Sequence, residues 1–540
     1  MDPATQKTAP GPSWLDWPWY PFVVAIYPLW YLYSTNLGQV EVTSAFMASA
    51  IGIAVVAVLL WIATRLVNSR AVGALIVTVM IVAFYGYGPL HDIYARVDSI
   101  GETQSAGGWL SKTLVNHKIF TPVMLGLTAL VILLIVKRAA RVSSRFTGAC
   151  NMAAAVLAVL LLGRLGSALW QDQALEPVSD VDVANLGNKT SVLGYNPDIY
   201  YIIVDGYARA DVLREHYGFD NSEFLSGLER RGFVVNDSSR TNYYWTFLSL
   251  ASSLNFDYLQ DIAAPLFADA RMTEGRNGYD PIGRLAQDNR AAHFLRSRGY
   301  RFVHVRSSAH PTISNPYADE QVDCGGSVFE EEYFRTLTEI SWLKAVGSMA
   351  TTDLAECHKR RLRVVGDQAH KPGSKFVFAH FLPPHHPYLF DRDGNVLKHV
   401  TLSNQFDFQA RLWEDKHGYL EQIRFTNRSL NELVDRIVAE SAHPPVIIIQ
   451  SDHGPNIVGG MSGEQAKAVR FANFAAYLLP GAPRDVMPHD CAPVNQFRYL
   501  FNLYFNAGLP ILPQRNFFST YGAPLQMFEV AAIAPIGKRS

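Results

Sequence analysis

The sequence predicts an α/β domain with a mostly parallel sheet flanked by helices, preceded by a transmembrane region of about five helices. Three observations carry this reading. Nearly all of the excess hydrophobicity lies before Trp170; beyond Asp198 short aliphatic runs alternate with amphipathic ones; and two of those runs end in an acidic residue closely followed by Gly. At 540 residues the chain exceeds one ordinary domain. The expected division is 1–170 for the transmembrane region, 171–196 for a linker and 197–540 for the α/β domain.

In chain order, the apolar stretches are Trp17 to Tyr33, Thr43 to Val67, Ala71 to Leu90, Ile119 to Val136 and Thr147 to Trp170. Each is near the ~20 residues that cross a bilayer. Pro18, Pro21 and Pro28 make the first the least regular, and Arg164 must snorkel or face a polar interior. No small-residue cleavage site precedes these stretches, so the first is expected to be retained. Arg65 and Arg70 follow the second stretch and Lys137, Arg138, Arg141 and Arg145 the fourth, whereas Ser34 to Val42 has no basic residue. The positive-inside rule then predicts a multi-pass protein of a bacterial-type inner membrane, with a cytoplasmic amino terminus and everything after Trp170 extracytoplasmic. The connection from His91 to Lys118 is expected to hold a short surface helix.

Gln171 to Asn196 is polar, contains Pro177 and Gly187, and reads as a linker. Strands are predicted at Asp198–Val204, Phe302–Val305, Phe376–Phe381, Val446–Gln450 and Ala475–Leu479. Helices are predicted at Ser222–Arg231, behind a capping box of Asp220 and Glu223, and at Asn427–Ser441. Cys324 and Cys357 flank a helical, charged segment and could form a disulfide in an oxidising compartment, with unpaired thiols as the alternative. None of the cysteines has the spacing of a zinc site. The net charge of −1 shows no basic excess, which argues against nucleic-acid binding.

The chemistry concentrates where strands end. Val446–Gln450 runs through Ser451 into Asp452-His453-Gly454, and an α/β sheet places ligands just beyond such a carboxyl end. The second run ends in Asp205-Gly206-Tyr207, and convergence of the two would supply Asp205, Asp452 and His453 to a first-row divalent cation such as Zn²⁺ or Mn²⁺. Alone, Asp205-Gly206 is a turn pair. Thr246 stands where a polar, aromatic loop passes into an apolar helix, so its hydroxyl faces free amides and the positive dipole end. By itself it would be an ordinary N-cap.

A strand ending in Asp, Thr at a helix start, His385-His386-Pro387-Tyr388 and then Asp-His-Gly resembles the alkaline phosphatase and sulfatase superfamily, over about 197–513. Within it the likeness is to lipoteichoic-acid-synthase-like and phosphoethanolamine-transferase-like membrane enzymes. The resemblance implies Thr246 as nucleophile and metal ligand, Asp205, Asp452 and His453 as further ligands, and His385 at the substrate phosphate. The lipoteichoic-acid enzymes typically place Glu where Asp205 stands, so the head group does not carry over. His380 and Arg209 are further candidates for binding phosphate, His380 alternatively a second metal, and Arg209 alternatively an exposed helix residue. His358, His443 and His489 read as surface or loop residues.

These parts imply attack by Thr246 on a phosphoryl group, a phosphothreonine intermediate, and transfer of a phosphoglycerol- or phosphoethanolamine-type head group. A membrane lipid is the expected donor and an envelope lipid or glycan the expected acceptor. A phosphodiesterase or phosphatase using water is the rival reading. A sulfatase-like hydrolase lacks its Cys/Ser-x-Pro-x-Arg setting here, and a catalytically silent envelope scaffold would lack a ligand.

Overall fold

The computed structural model describes the chain between Trp17 and Ile536 except residues 36–41, 101–116, 140–143, 174–182, 274–278, 308, 325–331, 347, 398–412, 457–462, 531, 532, 534 and 535. It forms two units: residues 1–174 together with 332–347, and residues 175–331 together with 348–540. The first boundary lies close to the division expected near Trp170. The exchange at 332–347 is a feature that periodicity alone does not announce.

In the first unit the apolar stretches form α1 (Tyr20–Thr35), α2 (Val42–Val67), α3 (Arg70–Ile100), α4 (His117–Lys137) and α5 (Ser144–Gln173). Among the described residues four helices, α2 to α5, are long and apolar enough to cross a membrane. With 16 residues, α1 is shorter than the ~30 Å hydrocarbon layer at 1.5 Å rise per residue. Prolines explain the shortening: Pro18 precedes the helix and Pro21 occupies its first turn, where a missing amide hydrogen is harmless. The surface helix expected between His91 and Lys118 falls largely outside the described residues, α3 continuing to Ile100.

Asn151 of α5, fully buried, serves the start of α1. Its Oδ1 accepts from the Trp19 and Tyr20 amides at 3.3 and 3.2 Å, and its Nδ2 donates to the Trp17 carbonyl at 2.9 Å. Near the other end Arg164 donates to Ser34 Oγ at 3.1 Å and lies over the Tyr31 ring. Helices α1 and α5 therefore run in the same direction. Leu66, Val159 and Leu162 point outward, as a lipid-facing surface requires.

The inserted segment 332–347 contributes the helix Glu332–Ile340 and a 3₁₀ turn, Trp342–Val346. Tyr333, Phe334 and Leu337 lie on one helical face and are buried with Leu29, Tyr33, Ala45 and Ala48. The Tyr333 hydroxyl donates to the Leu29 carbonyl at 3.0 Å. All of these partners sit toward the end of α1 or the start of α2.

The second unit is built on a seven-stranded sheet, β1 (Ile199–Val204), β2 (Val234–Asn236), β3 (Arg301–Val305), β4 (Glu320–Val322), β5 (Lys375–Phe381), β6 (Val446–Gln450) and β7 (Ala475–Leu478), in the order β2-β7-β6-β1-β5-β3-β4. Strands β6, β1, β5, β3 and β4 are parallel; β7 and β2 are antiparallel additions at one edge. The sheet is thus mixed. Both faces of β1, β5 and β6 are buried, which is why these strands read as uninterrupted aliphatic and aromatic runs. One apolar cluster covers one face through Tyr201, Phe378 and Phe497, the other the opposite face through Tyr200, Val377 and Val434. The helices used below are α6 (Ala210–Tyr217), α7 (Ser222–Arg230), α8 (Thr246–Asn255), α9 (Lys416–Glu440) and α10 (Gly463–Phe471).

Two local expectations change. The capping box before α7 is replaced by a turn in which Asp220 Oδ1 accepts from the Ser222 amide at 3.0 Å, with Asn221 at the cap position. Residues 183–196, expected as linker, pack on the domain: the Asn188 and Val192 amides donate to Phe505 and Tyr504 carbonyls, and Leu186 and Leu193 join the core. Cys324 and Cys357 are joined in a disulfide, so the bridge brackets the 332–347 insertion.

Because Asn151 bonds three backbone groups at the start of α1, Asn151→Leu removes those three hydrogen bonds. The expected cost is about 1–3 kcal/mol, read as a lower unfolding midpoint in detergent; an unchanged midpoint counts against the capping role.

Candidate active site

Strands β1 and β6 are hydrogen-bonded neighbours, Ile203 opposite Gln450, so their carboxyl ends deliver Asp205 and Asp452 side by side. The Asp205 amide donates to the Phe381 carbonyl of β5 at 3.0 Å, and the Asp205 carbonyl accepts from the His385 amide at 3.1 Å. One short stretch of backbone thus ties together the ends of β1, β5 and the loop that follows. The Gly206 amide donates to Asp452 Oδ1 at 3.1 Å. Gly206 has φ of 66°, and a Cβ there would strike the Trp413 ring. A side chain at this position is therefore excluded on both counts.

His453 is fixed by its neighbours. Its Nδ1 stands 3.0 Å from the Gly454 carbonyl, an acceptor only, which assigns the proton to Nδ1 and leaves a lone pair on Nε2. Around Nε2 lie Thr246 Oγ1 at 3.0 Å, Asp452 Oδ2 at 3.0 Å, Arg470 Nη2 at 2.8 Å and Asp205 Oδ1 at 3.8 Å. Burial and then the adjacent Arg470 hold the His453 imidazole well below its ordinary pKa, so it is neutral and able to ligate.

Thr246 is the first residue of α8, with Trp245 in extended conformation at the cap. Thr246 is partly exposed while Asp205, Asp452 and His453 are buried. Ser249, one turn on, donates to the Asp452 carbonyl at 2.9 Å and so pins the helix start to the end of β6.

The carboxylates are in conflict. Burial pushes the Asp452 pKa up and the Asp205 charge pushes it further. Burial also raises that of Asp205, but the His385, His380 and His453 imidazoles outweigh it and hold Asp205 below the usual carboxylate range. Asp205 Oδ1 and Asp452 Oδ2 are buried with no hydrogen-bond partner. Two facing carboxylates with orphaned oxygens, an imidazole lone pair and a hydroxyl on the same point form a donor set suited to a divalent cation. Asp205, Asp452 and His453 offer ligand atoms within 4.8 Å of one another.

His380 and His385 lie beside this set. His380, on β5, has Nδ1 2.7 Å from Thr312 Oγ1 and Nε2 3.4 Å from Asp205 Oδ2. His385 is partly exposed, with Nδ1 2.6 Å from the His386 carbonyl and its ring edge-on to Trp413. Burial lowers its pKa and Asp205 partly offsets this. Arg209 is not brought into the cluster. Its Nε and Nη2 pair with Asp211 at 2.8 and 2.7 Å, and Nη1 donates to the Ser239 carbonyl, so it braces the start of α6. His358 is buried among Phe381, Phe390 and Phe425, where burial pulls its pKa down to about 3; it is a core residue and not a surface one.

Arg470, at the end of α10, was not singled out from the sequence. It is 3 % exposed, donates from Nε to the Tyr244 carbonyl at 3.0 Å and from Nη1 to the Gly454 carbonyl at 3.1 Å. The Gly454 amide in turn donates to the Arg470 carbonyl at 2.7 Å. A Cβ on Gly454 would collide with the Val469 carbonyl, which explains the glycine after Asp-His. The only sequence signal was one charge within the apolar run Ala468-Val469-Arg470-Phe471-Ala472.

No protein-family model matches the sequence, and no curated protein does. Solved structures similar to the chain include the periplasmic domain of EptC from Escherichia coli, at 14% identity and TM-score 0.40, covering 64% of this chain and 94% of that one. The integral membrane lipooligosaccharide phosphoethanolamine transferase EptA from Neisseria meningitidis matches at 12% identity and TM-score 0.40, over 91% and 95%. The lipoteichoic acid synthase LtaP from Listeria monocytogenes matches at 11% and 0.36, over 64% and 80%. At these levels the likenesses carry no argument about activity, which rests on the residues themselves.

Asp452→Asn removes one of the two facing charges, so the full-length protein should fold normally but retain far less divalent metal after dialysis. Parent-like metal content by elemental analysis overturns the ligand set.

Proposed function

We propose that the protein is a metal-dependent, membrane-anchored transferase that moves a phospho-head group from a lipid donor to an envelope acceptor through a phosphothreonine at Thr246. The observation that carries this reading is the meeting of Thr246 Oγ1 and both orphaned carboxylates at His453 Nε2. Asp205, Asp452, His453 and Thr246 would hold the cation, Mn²⁺ or Zn²⁺ by donor type. Bound there, it supplies Lewis-acid polarisation of a phosphoryl oxygen and acidifies the threonine hydroxyl.

The chain's own residues do the rest. Thr246 sits at the positive end of α8, which favours the alkoxide, and its partial exposure lets a phosphodiester approach. Thr246 loses its hydroxyl proton to water at the mouth of the site. Its Oγ1 bonds phosphorus as the bond from phosphorus to the lipid alcohol breaks. Burial lowers the His385 pKa and an arriving anionic phosphate raises it again, so the imidazole can donate a proton to the departing oxygen. In the second half the acceptor hydroxyl attacks phosphorus and gives its proton to His385, while the bond from phosphorus to Thr246 Oγ1 breaks and the freed alkoxide takes back a proton from water. His380 and Arg209 are assigned no direct step: His380 is oriented on Asp205, and Arg209 is engaged elsewhere.

The membrane region supports a lipid donor. We read α1 as a fifth span completed by residues flanking Tyr20–Thr35, since α1 and α5 run in the same direction, as first and fifth spans do. The amino terminus is then cytoplasmic and the α/β domain extracytoplasmic, where the Cys324–Cys357 disulfide persists.

With a phospholipid mixture, the purified protein should carry a head-group phosphate on the peptide containing Thr246. Thr246→Ala should lose adduct and turnover by several orders of magnitude with folding retained, since Trp245 and not Thr246 holds the cap position. An alanine variant as fast as the parent overturns the nucleophile. A reporter active only in the cytoplasm, fused after Ser540, should stay silent; a signal there overturns the topology.

A further inference from the structure

Arg470 is a buried guanidinium whose three hydrogen bonds go to two carbonyls and one imidazole, and none to a carboxylate. The charges of Asp452 and Asp205 act on it, yet among the described residues neither carboxylate bonds it, so a buried guanidinium is left with room for a direct anionic partner. The carbonyl bonds to Tyr244 and Gly454 and the flanking rings of Tyr244 and Trp245 fix the plane of the fork. What varies is the third arm. Nη2 points at His453 Nε2, and so does Thr246 Oγ1 from 3.0 Å. When that nitrogen ligates a cation it can no longer accept a hydrogen bond. The Nη2 hydrogen would then be released from His453 and free for another acceptor, beside the Thr246 hydroxyl that shares the same nitrogen.

We propose that Arg470 is a further catalytic residue that clamps a non-bridging oxygen of the phosphoryl group attacked by Thr246. This rests on the transferase reading and deepens it. The donor's phosphate supplies the acceptor that His453 withdraws, so the arginine exchanges one partner for another as the site fills. No proton moves to or from Arg470. It neutralises charge on the equatorial oxygen while the bond from Thr246 forms and the bond to the lipid alcohol breaks. Its aim is set by a rigid frame, because Gly454 and Arg470 bond each other through both backbone and side chain. Lysine cannot reproduce that arrangement, having one nitrogen to serve two carbonyls and a ligand.

The test uses the full-length, detergent-solubilised protein loaded with Zn²⁺ and inorganic phosphate as probe. Bound metal is measured by elemental analysis and phosphate affinity by titration calorimetry. Arg470→Gln should keep the parent's metal content and bind phosphate at least tenfold more weakly, with Arg470→Lys in between. Parent-like phosphate affinity in Arg470→Gln overturns the clamp, as does a parent that binds no phosphate. Metal loss that parallels the loss of phosphate also overturns it, since the residue would then only support His453. If the glutamine variant does not fold, Arg470→Lys decides, and parent-like affinity there sinks the proposal. The two readings fail separately. No adduct on Thr246 in the parent, with phosphate binding still dependent on Arg470, removes the transferase and keeps the clamp; an adduct with no such dependence does the reverse.

Discussion

Two carboxylates forced together out of water organise the second unit. Asp205 and Asp452 end adjacent central strands, so the sheet's own hydrogen bonding holds them where mutual repulsion would otherwise separate them. The surrounding groups read as answers to that strain. The Gly206 amide takes one oxygen of Asp452, three imidazoles face Asp205, and a neutral His453 turns its lone pair to the same point. Each answer is partial, and two buried oxygens remain without a partner. A divalent cation suits such a donor set, since it would meet both carboxylates and the imidazole lone pair together.

Positioning follows from short-range geometry more than from bulk stability. Ser249 ties α8 to β6, and Gly454 ties α10 to the same strand end, so Thr246 and the Arg470 guanidinium are registered against one backbone segment. The glycines at 206 and 454 are needed because the Trp413 ring and the Val469 carbonyl occupy the space of a Cβ. Rigid elements therefore hold Asp205, Asp452 and His453 in place, while Thr246 and His385 stand at the partly exposed edge.

What could be read from the sequence is what depends on neighbours in the chain. β1 and β6 announce themselves as buried strands that stop at Asp-Gly and Asp-His-Gly, and parallel sheets place such ends together. Thr246 was legible because a loop-to-helix transition is local. Arg470 was not, since 17 residues separate it from His453 and its meaning arises only when α10 folds back. Arg209, two residues from Asp211, shows the converse: nearness in sequence to Asp205 suggested a site residue, and a local ion pair claimed it. α1 fell short because Pro18 and Pro21 delay the helix start within a stretch apolar enough to span.

The segment 332–347 changes what counts as a separable part of this protein. The chain leaves the α/β unit between two cysteines that are bonded to each other, and returns after the segment has buried Tyr333, Phe334 and Leu337 against α1 and α2. Cutting the chain after α5 does not release a self-contained soluble unit. It leaves an amphipathic helix whose Tyr333, Phe334 and Leu337 have lost their partners, held within a closed loop and free to seek detergent, lipid or another copy. The covalent order of the chain and the boundary between its units do not coincide, and any dissection of the protein has to follow the second.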